Sequence, residues 1–260
     1  MPFLTVQGHR VHYVHRRPVP GERPPVVFIH GAGGTHQHWL FQVRDLPESP
    51  TYAPDLPGHG RSEGPGRDSI QAYGDWLVGF LNAAGLDRAV LVGHSMGGGV
   101  ALDVAQRYPG RVAGLGLVAA GARLRVAPAI LEAIRHNPEA AVELICAFAY
   151  SSEAVPELVR QGQRQMGETA IDVLDGDFIA CDAFNVMDRL GEIAVPAAVL
   201  CGTQDNLTPT KYATYLRDHI PDATLHLVEG AGHMVMVENP GAVVQALVAL
   251  LDRVAQKAKA

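Results

Sequence analysis

Short apolar runs alternate with longer amphipathic stretches along most of the chain. Five runs carry the signal, the last of them shorter than the others: VVFIH at 26–30, RAVLVG at 88–93, VAGLGLVAA at 112–120, AAVLCG at 197–202 and HLVEG at 226–230. Continuous apolar runs of this length are typical of strands that are buried on both faces. The pattern therefore predicts an α/β fold with a mostly parallel central sheet flanked by helices.

The stretches between these runs show helical periodicity. Residues 69–84 begin with Ser69, a favourable N-cap residue, and repeat large or apolar side chains at helical spacing: Ala72, Tyr73, Trp76 and Phe80. Two further helices are predicted at 97–107 and 241–255. Near the start, residues 3–7 and 10–15 indicate a hairpin of two short strands, which a proline-rich connector at 18–25 follows.

Residues 122–189 break this alternation. They contain no buried-strand run, and their helix-like segments are punctuated by Pro128, Pro138 and Pro156. This predicts a helical cap inserted into an α/β core made of residues 1–121 and 190–260. The cap has more apolar side chains than the packing of a few short helices needs, so some are expected to face a ligand cleft, with packing inside the cap as the alternative for any one of them.

Composition narrows the class of protein. Of the 260 residues, 47% are hydrophobic and 18% are charged, which is enough apolar surface for a large core. The formal net charge is −6, and no long lysine or arginine run occurs, so nucleic acid is not a predicted partner. No apolar stretch approaches the ~20 residues of a membrane span, and the first residues lack the apolar segment of a secretory signal. A cytoplasmic protein is expected.

The three cysteines are Cys146, Cys181 and Cys201. An odd number without C-x-x-C spacing favours buried thiols over disulfides or a metal site.

The segment Gly93-His94-Ser95-Met96-Gly97 has the pattern G-x-S-x-G directly after a predicted strand and directly before a predicted helix. In that context the serine lies on a sharp, strained turn, and glycines are needed where chain passes chain. The pattern marks the nucleophile of α/β-hydrolases, although a glycine-rich strand-to-helix turn is the structural alternative. Ser95 is thus the candidate nucleophile, and the backbone N–H of Met96 can face a developing negative charge.

Five segments, in their order and spacing, extend this signal over nearly the whole chain: HGAGG at 30–34, DLPGHGRSEG at 55–64, GHSMGG at 93–98, CGTQDNLTP at 201–209 and GAGHMVMVENP at 230–240. With them the chain resembles the α/β-hydrolase family, in the branch of small esterases and lactonases with a helical cap. The resemblance implies that Asp205 and His233 complete a triad with Ser95, in the chain order that this fold uses. Taken singly, Asp205 also fits a turn residue before Pro209, and His233 also fits a surface histidine in a glycine loop.

The resemblance further implies that the N–H of Ala32 is the second donor of an oxyanion hole. A dinucleotide site in the same loop would need glycine at position 36, where the chain has His36. His36 and His38 have no aspartate or histidine near them in sequence of the kind that a hydrolytic metal site requires. No metal and no cofactor are therefore predicted.

The expected reaction is hydrolysis of a small-molecule carboxylic ester or lactone, with Ser95 as nucleophile, His233 as general base and Asp205 as the residue that orients it. Trp39, His38 and Phe148 are candidates for contact with the substrate, with packing against the cap as their alternative. Two other functions stay open, a carbon–carbon bond hydrolase and a ligand receptor with little turnover. The oligomeric state is not predicted.

Overall fold

A computed structural model describes residues 2–16 and 23–259. Their eight strands are β1 Phe3–Val6, β2 His9–Arg16, β3 Val26–Ile29, β4 Thr51–Pro54, β5 Ala89–His94, β6 Val112–Val118, β7 Ala197–Gly202 and β8 Ala223–Val228. They form one sheet in the order β1-β2-β4-β3-β5-β6-β7-β8. The pairs β1–β2 and β2–β4 are antiparallel and the other pairs are parallel, so the predicted mostly parallel sheet of an α/β-hydrolase fold is confirmed.

The α-helices of the described residues are α1 Leu40–Asp45, α2 Ile70–Ala83, α3 Met96–Arg107, α4 Pro128–His136, α5 Pro138–Ala149, α6 Pro156–Gly167, α7 Ile171–Ala183, α8 Thr210–His219, α9 Val235–Glu238 and α10 Pro240–Lys259. Short 3-10 turns occur at His36–Trp39, Pro109–Arg111 and Met187–Glu192. In this part of the chain no helix combines the length and the hydropathy needed to cross a bilayer. The connector predicted at 18–25 lies mostly outside the described residues.

Side-chain alternation along the strands produces two apolar layers. In β3, Val27 and Ile29 face the layer packed by α2 and α3, whereas Val26 and Phe28 face the layer packed by α10. Successive side chains of a strand point to opposite faces, so a central strand covered on both sides must be apolar at every position. This is why the central strands appear in the sequence as unbroken apolar runs.

Helix α2 shows how local signals agree with packing. The hydroxyl of Ser69 accepts a hydrogen bond from the N–H of Ala72 at 3.4 Å, which caps the helix. Tyr73, Trp76 and Phe80 are buried on one face, as their spacing predicts.

Strand β4 is absent from the sequence-based prediction, although it lies between β2 and β3. Its four residues, TYAP, are all buried, but the run is short and ends in proline. Short runs carry little periodicity, and proline argues against a central strand unless it stands at the strand end, as Pro54 does.

Between β6 and β7 the chain forms α4 to α7. The described residues 122–189 add no strand to the sheet. Their β pairing is an isolated bridge between Arg123 and Asn185, outside the sheet. We refer to residues 122–189 as the helical segment.

Candidate active site

The carboxyl ends of three parallel strands position the predicted triad. Ser95 directly follows β5, Asp205 lies in the loop after β7, and His233 lies in the loop after β8. Ser95 and His233 border the same cavity, and Asp205 is buried behind His233. Parallel strands bring their carboxyl ends to one edge of the sheet, so residues far apart in sequence meet there.

The turn at Ser95 is strained. Ser95 has φ 51° and ψ −115°, a region that costs an ordinary residue about 1–3 kcal/mol. A Cβ at Gly93 would lie 2.0 Å from the carbonyl oxygen of Gly97, and a Cβ at Gly97 would lie 2.4 Å from that of Ile29. Only glycine fits at these two positions, because backbone passes backbone there.

Asp205 orients the ring of His233. The Nδ1 atom of His233 lies 3.0 Å and 3.1 Å from the two carboxylate oxygens of Asp205. Asp205 also accepts hydrogen bonds from the N–H of Leu207 at 2.9 Å and from the N–H and hydroxyl of Thr208, both at 2.8 Å. Burial alone would raise the pKa of Asp205, but His233 and the two hydrogen bonds from Thr208 lower it below its ordinary value, so the carboxylate is charged at neutral pH.

Sequence reasoning missed Thr208. Its position three residues after the acid is the available signal, since short polar side chains bond to one another and to backbone across such a turn.

Within the described residues, the Nε2 atom of His233 and the hydroxyl of Ser95 have no hydrogen-bond partner, and they do not bond to each other. Catalytic hydrogen bonds are often long before substrate binds and tighten in the complex. The free ring nitrogen of His233 is thus available to a group in the cavity.

The ring of His94 packs against the ring of His233 and bonds to its backbone. Its Nε2–H donates to the carbonyl oxygen of His233 at 3.1 Å, and the two ring centroids are 4.7 Å apart. Burial, together with the neighbouring His233, lowers the pKa of His94 well below its ordinary value. His94 is therefore a neutral, structural histidine.

Two backbone N–H groups near Ser95 have no acceptor among the described residues. Met96 is the first residue of α3, and Ala32 lies in a turn closed by a hydrogen bond from Gly34 N–H to Gly31 oxygen at 3.1 Å. The first N–H groups of a helix lack partners within the helix, so they are suited to bind an anion.

The cavity has a volume of about 120 Å³ and is mainly apolar. Besides Ala32, Ser95 and His233, it is bordered by residues of the helical segment, among them Ile130, Ile145, Cys146, Met166, Phe178 and Cys181. The three cysteines are buried and unpaired, as predicted, and burial raises the pKa of Cys146 to about 11.

Of the three predicted contact residues, only His38 borders this cavity. Burial lowers its pKa to about 4, so the ring is neutral, and its Nδ1 has no partner among the described residues. Trp39 is fully buried against Phe28, with ring centroids 5.0 Å apart, and therefore belongs to the core. Phe148 is 45% exposed on α5 and lies outside the cavity lining.

A model of the alpha/beta hydrolase family matches residues 26–246. The chain belongs to the alpha/beta hydrolase family. A solved thermophilic esterase shares 34% sequence identity with this hydrolase at a TM-score of 0.86, with 97% of each chain covered. Est816, described as an N-acyl homoserine lactone degrading enzyme, shares 27% identity at a TM-score of 0.84, and the match covers 95% of this chain and 99% of that one.

A third relative is 2-hydroxy-6-oxo-6-phenylhexa-2,4-dienoate hydrolase of Burkholderia cepacia. It is 28% identical over 247 residues, which are 85% of each chain. The neighbours of this hydrolase therefore include esterases, a lactone-degrading enzyme and a dienoate hydrolase.

A second polar cluster in the hydrolase lies around Asp55. The Nδ1 atoms of His12 and His36 each lie 2.8 Å from a carboxylate oxygen of Asp55, and the three residues could hold a metal ion by distance. The sequence argument that His36 lacks such neighbours was therefore wrong, because β2 and the loop after β4 bring them together. The same carboxylate also accepts the N–H groups of His36 at 2.8 Å and Arg61 at 3.1 Å, so hydrogen bonds occupy its oxygens. The prediction of no metal stays a prediction.

Proposed function

We propose that this hydrolase cleaves a carboxylic ester or lactone through an acyl-enzyme intermediate on Ser95. One observation carries the proposal: His233, held by Asp205 at 3.0 Å, borders the same cavity as a serine on a strained strand-to-helix turn. A serine hydroxyl is a weak nucleophile at neutral pH and needs a base that takes its proton during attack. His233 has a free nitrogen for this, and Asp205 favours the tautomer that leaves it free.

The proposed reaction has two halves. Ser95 Oγ attacks the carbonyl carbon while its proton passes to His233, and collapse of the tetrahedral intermediate breaks the bond to the leaving oxygen, which takes the proton from His233. Water then gives a proton to His233 and attacks the acyl-enzyme. The second collapse releases the acid and returns the proton to Ser95.

The N–H groups of Ala32 and Met96 are the proposed oxyanion hole. Neither has an acceptor among the described residues. The first lies in the loop after β3, and the second is the first residue of α3, directly after Ser95. Such donors stabilise the negative charge that develops on the carbonyl oxygen, and losing one typically slows catalysis about 10²–10³-fold.

The cavity lining supports a substrate with a small to medium, largely apolar acyl or alcohol group. Neutral His38 is the proposed polar contact in this lining. We also propose that the helical segment acts as a cap, since it supplies much of the apolar lining.

The test is active-site labelling combined with turnover. A fluorophosphonate probe should modify Ser95, and p-nitrophenyl butyrate should be hydrolysed by the wild type but not by Ser95→Ala. Ser152→Ala is the matched control, because this exposed serine lies outside the cavity lining and should leave both readouts unchanged. Absence of labelling and of turnover in the wild type would favour a receptor on this fold instead.

A panel of esters, lactones, thioesters and vinylogous diketones separates the remaining chemistries. We expect esters or lactones to be the best substrates. Activity confined to diketones would contradict the proposal and favour carbon–carbon cleavage, in line with the dienoate hydrolase among the relatives.

A further inference from the structure

A buried carboxylate of the helical segment contacts the loop that carries Ala32. Asp177 of α7 is fully buried, and one of its oxygens accepts the N–H of Gly33 at 2.8 Å. The same oxygen lies 2.8 Å from Nε2 of His59, and the other accepts the hydroxyl of Tyr73 at 2.5 Å. We call Gly33, His59, Tyr73 and Asp177 the Asp177 cluster.

The helical segment bonds to both backbone polar groups of Gly33. Its N–H donates to Asp177, and its carbonyl oxygen accepts the hydroxyl of Thr169 at 3.3 Å, just before α7. A Cβ on Gly33 would lie 2.8 Å from the side chain of Leu174, so α7 packs directly on this residue, which has φ +59°. Within residues 2–16 and 23–259, no strand or helix of the core makes these contacts.

The surroundings of His59 favour its protonated form. Nδ1 of His59 lies 3.0 Å from the carbonyl oxygen of Pro57 while its Nε2 faces Asp177, so both ring nitrogens need a proton. Burial alone would lower the pKa of His59, but the Asp177 carboxylate outweighs it and raises that pKa. Replacing a buried ion pair by apolar residues is often neutral or stabilising, so a pair at this place is weak evidence for a role in stability alone.

We propose that Asp177 is a positioning residue for the oxyanion hole, which makes the docked helical segment part of the catalytic geometry. The N–H of Gly33 belongs to the peptide unit that follows the Cα of Ala32, so its bond to Asp177 restrains the ψ angle of Ala32. Together with the turn closed by the bond from Gly34 N–H to Gly31 oxygen, this helps to hold the direction of the Ala32 N–H one peptide unit earlier. The inference rests on the proposed function, since it gives that N–H a task. If the helical segment only lined the substrate cavity, it would not need a buried carboxylate that bonds to the backbone of the loop carrying Ala32.

The first test is steady-state kinetics with p-nitrophenyl butyrate. Asp177→Ala should lower kcat by about 10–100-fold, the range expected when a donor is misplaced by about 1 Å, and should change KM by less than about threefold. Asp177→Asn keeps one oxygen for Gly33 and should recover part of the lost kcat. The matched control is Asp103→Asn, a buried carboxylate of α3 that bonds to Arg107 away from the cavity, which should lower Tm but leave kcat unchanged.

The second test does not depend on activity. The amide proton of Gly33, followed by NMR hydrogen exchange in the wild type and in Asp177→Ala and Thr169→Val, should exchange at least about tenfold faster in each folded variant, because each variant loses a contact that holds the backbone of Gly33. Unchanged exchange of Gly33, or an equal loss of kcat in Asp103→Asn, would overturn the inference. If the wild type hydrolyses no ester, the proposed function fails while the exchange result still decides whether Asp177 holds the loop.

Discussion

This hydrolase has two buried aspartate–histidine pairs that differ in their surroundings. Asp205 and His233 belong to core loops, and Asp177 and His59 join the helical segment to the core. The distances are similar, 3.0 Å and 2.8 Å, and all four side chains are buried. The pairs differ at the second ring nitrogen, which is free beside the cavity in His233 and bonded to Pro57 in His59.

The state of this second nitrogen decides whether a histidine can act in catalysis or has a structural role. A histidine can act as a base only if one nitrogen is unprotonated and open to the reacting group. His59 meets neither condition, since both its nitrogens face acceptors. The comparison therefore predicts that disturbing the first pair has the larger effect on rate, whereas disturbing the second lowers stability and lowers rate only through loop geometry.

The largest effect should follow from Asp205→Asn. The amide cannot hold the His233 tautomer that leaves Nε2 free, so kcat should fall by about 10⁴-fold, as for the equivalent change in serine proteases. The measurement is steady-state hydrolysis of p-nitrophenyl butyrate, with a urea titration to check folding. If kcat of the folded variant falls by less than about tenfold, the proposed catalytic role of the Asp205–His233 pair is wrong.

Tyr73→Phe should act on stability. It removes a donor to the buried Asp177 carboxylate, and hydrogen bonds to charged groups contribute about 1.5–3 kcal/mol. We expect the free energy of unfolding in urea to drop by that amount, with a smaller loss of kcat than in Asp177→Ala. A large loss of kcat at unchanged stability would show that Tyr73 belongs to the catalytic geometry.

Thr208→Val should affect catalysis moderately. It removes the hydroxyl that donates to Asp205 at 2.8 Å while keeping the backbone N–H bond of residue 208. Loss of one bond to a charged group should lower kcat by about tenfold, which is ~1.4 kcal/mol. Thr224→Val, at a threonine on β8 outside the cavity lining, provides the comparison and should leave kcat as it is.

The smallest predicted effect is a pH dependence of stability from His59. Its pKa is raised in the folded protein, so its contribution is full below the unfolded value near 6.5 and is lost as pH rises through the folded value. Three of the groups facing it do not titrate in that window, because the pKa values of His30 and Asp55 are lowered and that of Tyr73 is raised. Asp177 is its ion-pair partner.

The check is urea unfolding at several pH values from 6 upward. The free energy of unfolding should decline with a slope of at most about 1.4 kcal/mol per pH unit, and His59→Gln should flatten it. An unchanged slope in His59→Gln would show that another group causes the decline.

Much of the fold was predictable because local and global signals agree. The central strands are apolar at every position since both of their faces are covered, and Ser69 and the apolar spacing mark α2. The candidate nucleophile was equally visible, because a turn this tight admits only glycine at 93 and 97. The catalytic roles of the triad stay predictions until they are assayed.

Contacts between distant segments were not predictable in the same way. Trp39 was a candidate for contact with the substrate, with packing as its alternative, and it packs on Phe28 in the core, whereas Phe148 is 45% exposed. Apolar periodicity shows that a side chain is buried or at an edge, but it does not show which surface it meets. His36 likewise had no partner in its own loop and finds Asp55 only through the fold.

The amino-acid sequence by itself determined the strands of the sheet other than β4, the strained turn at Ser95 and the loops that carry Asp205 and His233, since each is marked by residues adjacent in the chain. Tertiary structure alone decided that Asp177 of the helical segment binds the loop beside Ala32, across 144 positions. The physical reason is that a buried carboxylate needs hydrogen-bond donors, and these can come from any segment that the fold places beside it. The spacing of residues along the chain does not show which segment that is.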